Sequence, residues 1–364
     1  MDKRLVGKWY KEAMGETINI FGEEPLRMKI SFSSSGWYNV DPNCIYESDG
    51  FLCWEINDEQ FRMVYRVRFE GGKIVGTYTQ FGRETEVEYE RVSETPEDGE
   101  TVFIKPTSNY NGEPRIDILR RYTEYERGAV DIENEFKLFE PKPEILDKYD
   151  YENYVAGKSG DELAFSLLRF VGDHFKHNGL NGLAQKRNIA GLIEFCEQYD
   201  MSTNCRGLAM LLASLLRMNG IKARHVTCLP YEEPCDDCHV VVDCLLPSGA
   251  RVMLDPTFRL YIKDAAGEYV SLPRLREMLI AGEEYFPNAD ASYNGNGFDI
   301  AEQREYMIKN TFRFSRGTLS ADGCDDLGRR CIELIPKNYP PEDMKFSDEE
   351  RERFITDDLV FWKM

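Results

Sequence analysis

Short segments in which apolar and polar residues alternate occupy the first quarter of the chain. They lie at 26–32, 51–56, 60–69, 73–80 and 84–92, with turn residues between them. A period of two predicts antiparallel strands, and both Gly71-Gly72 and Phe81-Gly82-Arg83 predict hairpin turns. We therefore expect a small up-and-down antiparallel β-barrel over residues 1–93.

The pattern changes after residue 93. The chain becomes rich in Glu, Thr, Pro, Asp and Gly, and Pro141 and Pro143 interrupt it again, so we predict a connector over 94–145. Helical spacing dominates at 161–177, 183–198 and 205–218, whereas short apolar runs at 240–242 and 251–254 predict strands. Helices followed by strands predict an α+β domain over 146–364.

Charge and composition narrow the classes of function. The 364 residues include 45 Lys and Arg against 65 Asp and Glu, a formal net charge of −20. This charge repels phosphate, so we expect no nucleic-acid partner. No apolar run reaches the roughly 18 residues of a membrane span, and the first residues do not read as a secretory signal. We expect no membrane association and a cytoplasmic location.

One cysteine lies where a helix is predicted to begin. Ser202-Thr203-Asn204 are good N-cap residues before the apolar positions of 208–216, and Asn219-Gly220 predicts the end of the helix. The positive end of a helix dipole favours a thiolate, and the unpaired amides there can bind an oxyanion. These features make Cys205 the candidate nucleophile.

The chain has four histidines that could serve as its base. We expect His174 and His177 to be polar surface residues near a helix end, and His225 to pack or to face solvent. His239 opens an apolar run that leads into a hairpin. If the hairpin turn is centred near residue 247, residues whose numbers sum to 494 face each other, and Asp255 lies opposite His239. An aspartate there would orient the imidazole and stabilise its cation.

Taken together, residues 150–262 resemble the transglutaminase-like superfamily. The resemblance rests on Cys205 at a helix start, on the turn from Arg217 through Gly220-Ile221 to Ala223-Arg224, on His239 opening a strand, and on Asp255-Pro256-Thr257. It implies a papain-like core in which Cys205 is the nucleophile, His239 the general base and acid, and Asp255 its orienting residue. Val240-Val241 and Arg251-Val252 stand where the superfamily commonly has tryptophans. Gln198 and Asn204 are open candidates for a second oxyanion donor.

The first segment resembles a lipocalin-like barrel through its two ends. Gly7-Lys8-Trp9 is similar to the Gly-x-Trp start of that family, and Tyr89-Glu90-Arg91-Val92 is similar to its last strand. The resemblance implies that Arg91 packs across Trp9. A small ligand inside the barrel is a further candidate partner.

The cysteines near His239 allow other hypotheses. Cys235-Asp236-Asp237-Cys238-His239 fits the string of c-type haem attachment. Cys228, Cys235, Cys238 and Cys244 with His239 are candidate zinc ligands, although only one Cys-x-x-Cys pair is present. A reversible disulfide between Cys235 and Cys238 would act as a redox gate.

We expect a cysteine hydrolase, a peptidase or amidase that forms a thioester on Cys205 and needs no metal or organic cofactor. Its partner would be a peptide or protein substrate. A transglutaminase-type acyltransferase and a non-catalytic binding or scaffold protein with a degenerate enzyme fold are the alternatives.

Overall fold

A computed structural model describes residues 2–11, 16–22, 26–32, 38–40, 44–58, 61–80, 83–98, 109–110, 112–128, 131–179, 183–233, 235, 237–324, 331–342, 344 and 346–364. Contacts divide the chain into two compact units, Met1–Lys105 and Pro106–Met364. The α+β fold class predicted from the sequence is confirmed. The individual boundaries at 93/94 and 145/146 stay a prediction.

The first unit is one curled antiparallel sheet. Among the described residues its strands are β1 (Gly7–Lys11), β2 (Glu16–Phe21), β3 (Arg27–Phe32), β4 (Tyr38–Val40), β5 (Ile45–Ser48), β6 (Phe51–Asp58), β7 (Phe61–Glu70), β8 (Lys73–Gln80) and β9 (Arg83–Ser93). Consecutive strands pair from β1 to β4 and from β5 to β9, and β1 also pairs with β9. In the described residues β4 and β5 are therefore the edges of a half-barrel, which supports the predicted barrel in part.

Two local predictions for this unit are confirmed. Gly71 and Gly72, with φ of 61° and 90°, form the turn between β7 and β8, since both need the left-handed region that glycine tolerates. The Arg91 guanidinium lies 4.1 Å from the centre of the buried Trp9 ring. The other predicted hairpin turn falls at residues 81 and 82, outside the described residues.

The second unit places helices on both faces of a six-stranded sheet. Its α-helices are α1 (Arg115–Arg121), α2 (Tyr151–Val155), α3 (Gly160–His174), α4 (Ile189–Gln198), α5 (Cys205–Met218), α6 (Leu272–Ala281), α7 (Ile300–Asn310), α8 (Asp348–Arg351) and α9 (Asp358–Trp362). In the part of the chain that the structure describes, short 3-10 helices lie at Lys3–Leu5, in the first unit, and at Glu144–Tyr149.

The strands of the second unit follow in chain order. They are β10 (Asn109–Tyr110), β11 (Glu113–Pro114), β12 (Glu135–Phe136), β13 (Lys176–His177), β14 (Ser202–Thr203), β15 (Ala223–Leu229), β16 (His239–Leu245), β17 (Arg251–Leu254), β18 (Ile262–Lys263), β19 (Phe286–Pro287), β20 (Arg313–Gly317), β21 (Leu319–Ser320), β22 (Cys331–Leu334) and β23 (Phe354–Ile355). The main sheet has the order β17-β16-β15-β20-β22-β23, and only β22 and β23 are parallel among its neighbours.

Alternate residues of β16 enter two different apolar cores. Val240 and Val242 pack with α3, α4 and α5, whereas Val241 packs with α1, α6 and α7. Because both faces of β16 are covered, neither face is exposed to water, and its residues 240–242 are all apolar. β16 lies between β17 and β15 and packs against α5, and His239 is its first residue.

In the part of the chain that the structure describes, no helix is long and apolar enough to cross a membrane.

Candidate active site

Cys205 is the first residue of α5, as its predicted helix start required. Asn204 is the N-cap, and its side-chain oxygen accepts a hydrogen bond from Gly207 N at 3.0 Å. A Cβ atom at Gly207 would lie 2.3 Å from Thr203 Oγ1, so glycine allows β14 to approach the first turn of the helix. The thiol therefore sits at a tightly packed strand-to-helix junction.

His239 and Asp255 are in direct contact. His239 Nε2 donates to Asp255 Oδ2 at 2.6 Å, and the two side chains are buried, at 1% and 0% exposure. The other carboxylate oxygen, Oδ1, accepts the Thr257 backbone N–H at 3.0 Å. Both oxygens are thus held, which fixes the imidazole plane and leaves Nδ1 as the ring nitrogen available to Cys205.

The register that predicted this contact is wrong by two residues. The pairs Val242↔Leu254 and Leu245↔Arg251 have numbers that sum to 496, because the turn hydrogen bond from Leu246 N to Ala250 O centres the loop on residue 248. A slip of two residues keeps the same face, so His239 and Asp255 still meet as diagonal neighbours.

The thiol and the imidazole perturb each other strongly. Burial raises the pKa of the Cys205 thiol, but hydrogen bonds from His177 and His239 and the charge of both rings outweigh it and lower the pKa to about 6. Burial lowers the pKa of His239, but the charge and hydrogen bond of Asp255, together with Cys205, raise it to about 10. Between these values the favoured state is a thiolate–imidazolium pair.

His177 is a second imidazole at the thiol, and the expectation of a surface role for it is wrong. It lies in β13, three residues after α3 ends, and β13 pairs in parallel with β14, the strand directly before Cys205. The bonds from Lys176 N to Met201 O and from Asn178 N to Thr203 O, both 2.8 Å, hold the two strands together. No local sequence signal predicts this, because a two-residue parallel pairing has no periodicity of its own.

The loop that carries Tyr293 and Asn294 holds His177 on its other side. Asn294 Oδ1 accepts the His177 backbone N–H at 2.7 Å, and Asn294 Nδ2 donates to His177 O at 3.0 Å. Tyr293 OH lies 3.1 Å from His177 Nδ1. With Nδ1 occupied, Nε2 is the nitrogen that faces Cys205. The Gly- and Asn-rich loop of the sequence is therefore part of the site.

Aromatic rings surround His239. The ring centres of Phe258 and Tyr306 lie 5.9 and 5.2 Å from that of the imidazole. Tyr306 OH also contacts Asp237 Oδ1 and Cys238 O, each at 3.3 Å, and Lys309 Nζ lies 3.0 Å from Asp237 Oδ2. Helix α7 thus positions the residues that enter β16.

The remaining sequence candidates fall outside this arrangement. Asn204 caps α5, as described above, and Gln198 is exposed at the end of α4. Cys235 and Cys238 are free thiols whose pKa burial raises, to about 11 and about 12. The described residues include no group of three or more His, Cys, Asp or Glu side chains placed to hold a metal ion, so the zinc hypothesis finds no ligand set among them. His225 is buried, at 7% exposure, in β15.

Comparison with protein families finds a match over the part of the chain that contains this site. Residues 152–256, which include Cys205, His239 and Asp255, match the model of the transglutaminase-like superfamily. The chain therefore carries a transglutaminase-like domain, as the spacing of its motifs predicted.

Comparison with solved structures gives a weaker likeness. One of the similar structures is a crystal structure described as a "putative protease" from Parabacteroides distasonis, with 11% sequence identity and a TM-score of 0.26. The alignment covers 72% of this chain and 43% of the other, so this chain spans less than half of that protein. A search of curated proteins finds no significant match.

Proposed function

We propose that the protein is a cysteine hydrolase that cleaves a peptide or amide bond through a thioester on Cys205. The observation that carries the proposal is the buried chain of contacts from Asp255 through His239 to a thiol whose pKa is lowered to about 6. A structural cysteine has no need of an imidazole held by a carboxylate, whereas a nucleophile does.

The reaction would begin with attack of the Cys205 thiolate on the substrate carbonyl carbon. As the tetrahedral intermediate collapses, the C–N bond breaks and His239 Nδ1–H gives its proton to the leaving amine. Water then attacks the carbonyl carbon of the thioester and gives a proton to His239, and the S–C bond breaks. The acid product leaves and the thiolate–imidazolium pair returns. Asp255 stays ionised and stabilises the imidazolium throughout.

The oxyanion of the intermediate would find two donors. One is the Cys205 backbone N–H at the start of α5, which points out of the helix without an intrahelical acceptor. The other is Nε2–H of His177, whose Nδ1 lies 3.1 Å from Tyr293 OH. His177 is a better candidate than Gln198 or Asn204, because it is hydrogen-bonded to the thiol itself.

Water is our choice of second nucleophile because hydrolysis requires no site for an amine acceptor. The substrate would be a peptide or protein with an accessible carbonyl, and the aromatic side chains of Phe258 and Tyr306 beside His239 favour an apolar side chain next to the scissile bond. A small ligand for the half-barrel and a cytoplasmic location stay predictions.

The experiment is a search for the thioester. Wild-type protein and the Cys205→Ala variant are incubated with a peptide and carboxamide library in H₂¹⁸O, with and without hydroxylamine. We expect ¹⁸O in the released acid, hydroxamate formation when hydroxylamine is present, and neither product from Cys205→Ala. The Cys44→Ala variant, which removes a cysteine of the first unit, serves as the matched control and keeps full activity.

Two results would contradict the proposal. Acyl transfer to added amines without ¹⁸O incorporation would favour a transglutaminase-type acyltransferase. The second result concerns alkylation. If Cys205 reacts near pH 7 no faster than the other cysteines, and if His239→Ala does not change its rate, a non-catalytic binding protein is favoured.

A further inference from the structure

Arg259 lies in a tight turn that begins at Asp255. Two backbone hydrogen bonds between Asp255 and Leu260, of 2.8 and 2.9 Å, close the turn. Within it Arg259 has a φ of 47°, in the left-handed region that residues other than glycine rarely adopt. A strained backbone of this kind persists only where the surrounding structure holds it. The turn therefore fixes Arg259 four residues after the carboxylate that holds His239.

The guanidinium of Arg259 joins two other segments of the chain. Its Nη1 donates to Asp173 Oδ1, in the last turn of α3. Its Nε donates to Asp290 O at 3.0 Å, and its Nη2 donates to Ser292 Oγ at 3.1 Å. One side chain thus connects the turn, the end of α3 and the loop 290–292.

Helix α3 is built to receive this side chain. A Cβ atom at Gly172 would lie 3.0 to 3.2 Å from three carbon atoms of Arg259, so a glycine lets the arginine pass close to the helix. The second oxygen of Asp173, Oδ2, accepts from Tyr154 OH at 2.9 Å. The carboxylate is therefore held by two partners, which fixes where it binds the guanidinium.

The two segments that Arg259 joins both lead to His177. Asp173 stands four residues before it, and Ser292 is followed directly by Tyr293-Asn294. The Asn294 side chain binds the backbone N–H and carbonyl of His177, and Tyr293 OH lies 3.1 Å from its Nδ1. The position of this imidazole therefore depends on how the guanidinium holds the two segments.

Backbone groups of the turn also bind the loop. Ser292 N donates to Phe258 O at 2.8 Å, and Asn288 Nδ2 donates to Arg259 O at 2.9 Å. Asn288 Oδ1 accepts from Tyr261 N at 2.7 Å. These bonds do not involve the guanidinium, so a variant without it keeps the loop beside the turn and loses only the connection to α3.

We propose that Arg259 is a positioning residue of the Cys205 site, whose guanidinium holds His177 within hydrogen-bonding distance of the thiol by joining the Asp255 turn, the end of α3 and the loop 290–292. This inference rests on the proposed function. Among its described contacts Arg259 touches neither the thiol nor an imidazole, so it acts through the residues that hold His177. Its loss should weaken the contact between His177 and Cys205 and leave that between His239 and Asp255 in place.

The test is a double-mutant cycle read by the pH dependence of Cys205 alkylation with iodoacetamide in the full chain. The variants are Arg259→Gly, His177→Ala and the two combined. Glycine suits a φ of 47°, so Arg259→Gly removes the side chain and preserves the turn. We expect the wild-type midpoint near pH 6 to rise by about 1 pH unit in Arg259→Gly, the effect of losing one hydrogen bond to a charged group.

The combined variant shows whether Arg259 acts through His177. His177→Ala alone should raise the midpoint at least as much as Arg259→Gly, and adding Arg259→Gly to it should produce no further rise. A residue that only stabilises the fold would lower the unfolding temperature and leave the midpoint unchanged. Arg127→Gln, which removes an exposed arginine paired with Asp358, is the matched control and should keep the wild-type midpoint.

A second variant breaks the same connection from the other side. Asp173→Ala removes the carboxylate partner of Arg259 and should raise the midpoint in the same direction, which keeps the test valid if Arg259→Gly does not fold. A wild-type midpoint near pH 6 that is unchanged in the folded variants would overturn this inference alone. Additive shifts in the combined variant would overturn it as well. Ordinary alkylation of Cys205 in the wild type would instead contradict the proposed function, and this inference with it.

Discussion

Replacing Asp255 by asparagine removes the charge that holds the imidazolium while preserving the shape of the side chain. Asparagine Oδ1 keeps the hydrogen bond from Thr257 N, but its amide now presents a donor to His239 Nε2. Nε2 must then accept, so the proton of the neutral ring moves to Nδ1, the nitrogen that should take the proton of Cys205. The variant therefore disfavours the ion pair in two ways.

The size of the effect follows from the perturbed pKa of His239. That pKa rises from 6.5 to about 10, and Asp255 is the largest of the causes that raise it. At roughly 1.4 kcal/mol per pKa unit this net shift, which already includes the opposing effect of burial, corresponds to about 5 kcal/mol, and we expect the loss of Asp255, the largest favourable cause, to cost about 3 kcal/mol. This cost moves the pKa of Cys205 from about 6 to just above 8, so the fraction present as thiolate at pH 7 should fall by roughly 10-fold or more.

The assay is the iodoacetamide alkylation rate of each cysteine against pH, resolved by peptide mass spectrometry. In the wild type we expect the Cys205 rate to rise with a midpoint near pH 6, and in Asp255→Asn with a midpoint above pH 8. Cys44 and Cys324 are internal references in the same digests. Asp117→Asn, an exposed charge loss on α1, is the matched control. If folded Asp255→Asn alkylates at the wild-type rate at pH 6.5, the reasoning is refuted.

Three further predictions concern the same unit. The pH profile of kcat/KM should be bell-shaped. Activity is lost below about pH 6, because Cys205 is protonated, and above about pH 10, because His239 loses its proton. A flat profile between pH 5 and 7 would contradict the thiolate assignment. The His177→Ala variant should lower kcat by about 100-fold or more with little change in KM, because it loses an oxyanion donor. If His177 had only a structural role, the variant would instead have a lower unfolding temperature and an unchanged kcat. Leu211→Ala, at a fully buried position of α5, should cost about 2 to 5 kcal/mol of unfolding free energy in urea titrations, whereas Leu359→Ala, 62% exposed, should stay within about 0.5 kcal/mol.

The strongly periodic elements could be predicted from the sequence almost to the residue. The predicted helix 205–218 is α5 itself, because N-cap residues and Asn219-Gly220 mark both its ends. The strand 73–80 is β8, since the two glycines fix where it starts. In these elements the turn residues and the hydrophobic pattern predict the same bounds, and the tertiary structure keeps them.

The last three strands of the main sheet could not be predicted in this way. β20 contains Arg313 and Arg316, at 1% and 0% exposure, where a strand pattern calls for apolar residues. Arg313 forms ion pairs with Glu233 and Glu333, and Arg316 donates hydrogen bonds to carbonyls of α9, all of them distant in the sequence. From the sequence alone an arginine predicts a surface position, and only its partners show that it can be buried.

The candidate site shows the same limit. Cys205, His239 and Asp255 each stand at the start or end of a predictable element, so their order along the chain was enough to bring them together. His177 gains its place from a two-residue strand and from Asn294, 117 residues away, and no pattern within either segment reveals the pairing.

The long-range attachment of His177 has a consequence for how the protein is made. During synthesis α5 leaves the ribosome well before Asp255, and the loop that carries Asn294 follows about 90 residues after Cys205. Until those segments arrive, Cys205 lacks the partners that ionise it and behaves as an ordinary thiol. We expect the nascent chain to be protected in this way from premature oxidation and from acylation by bystander metabolites, and reactivity to appear only when the whole unit has assembled.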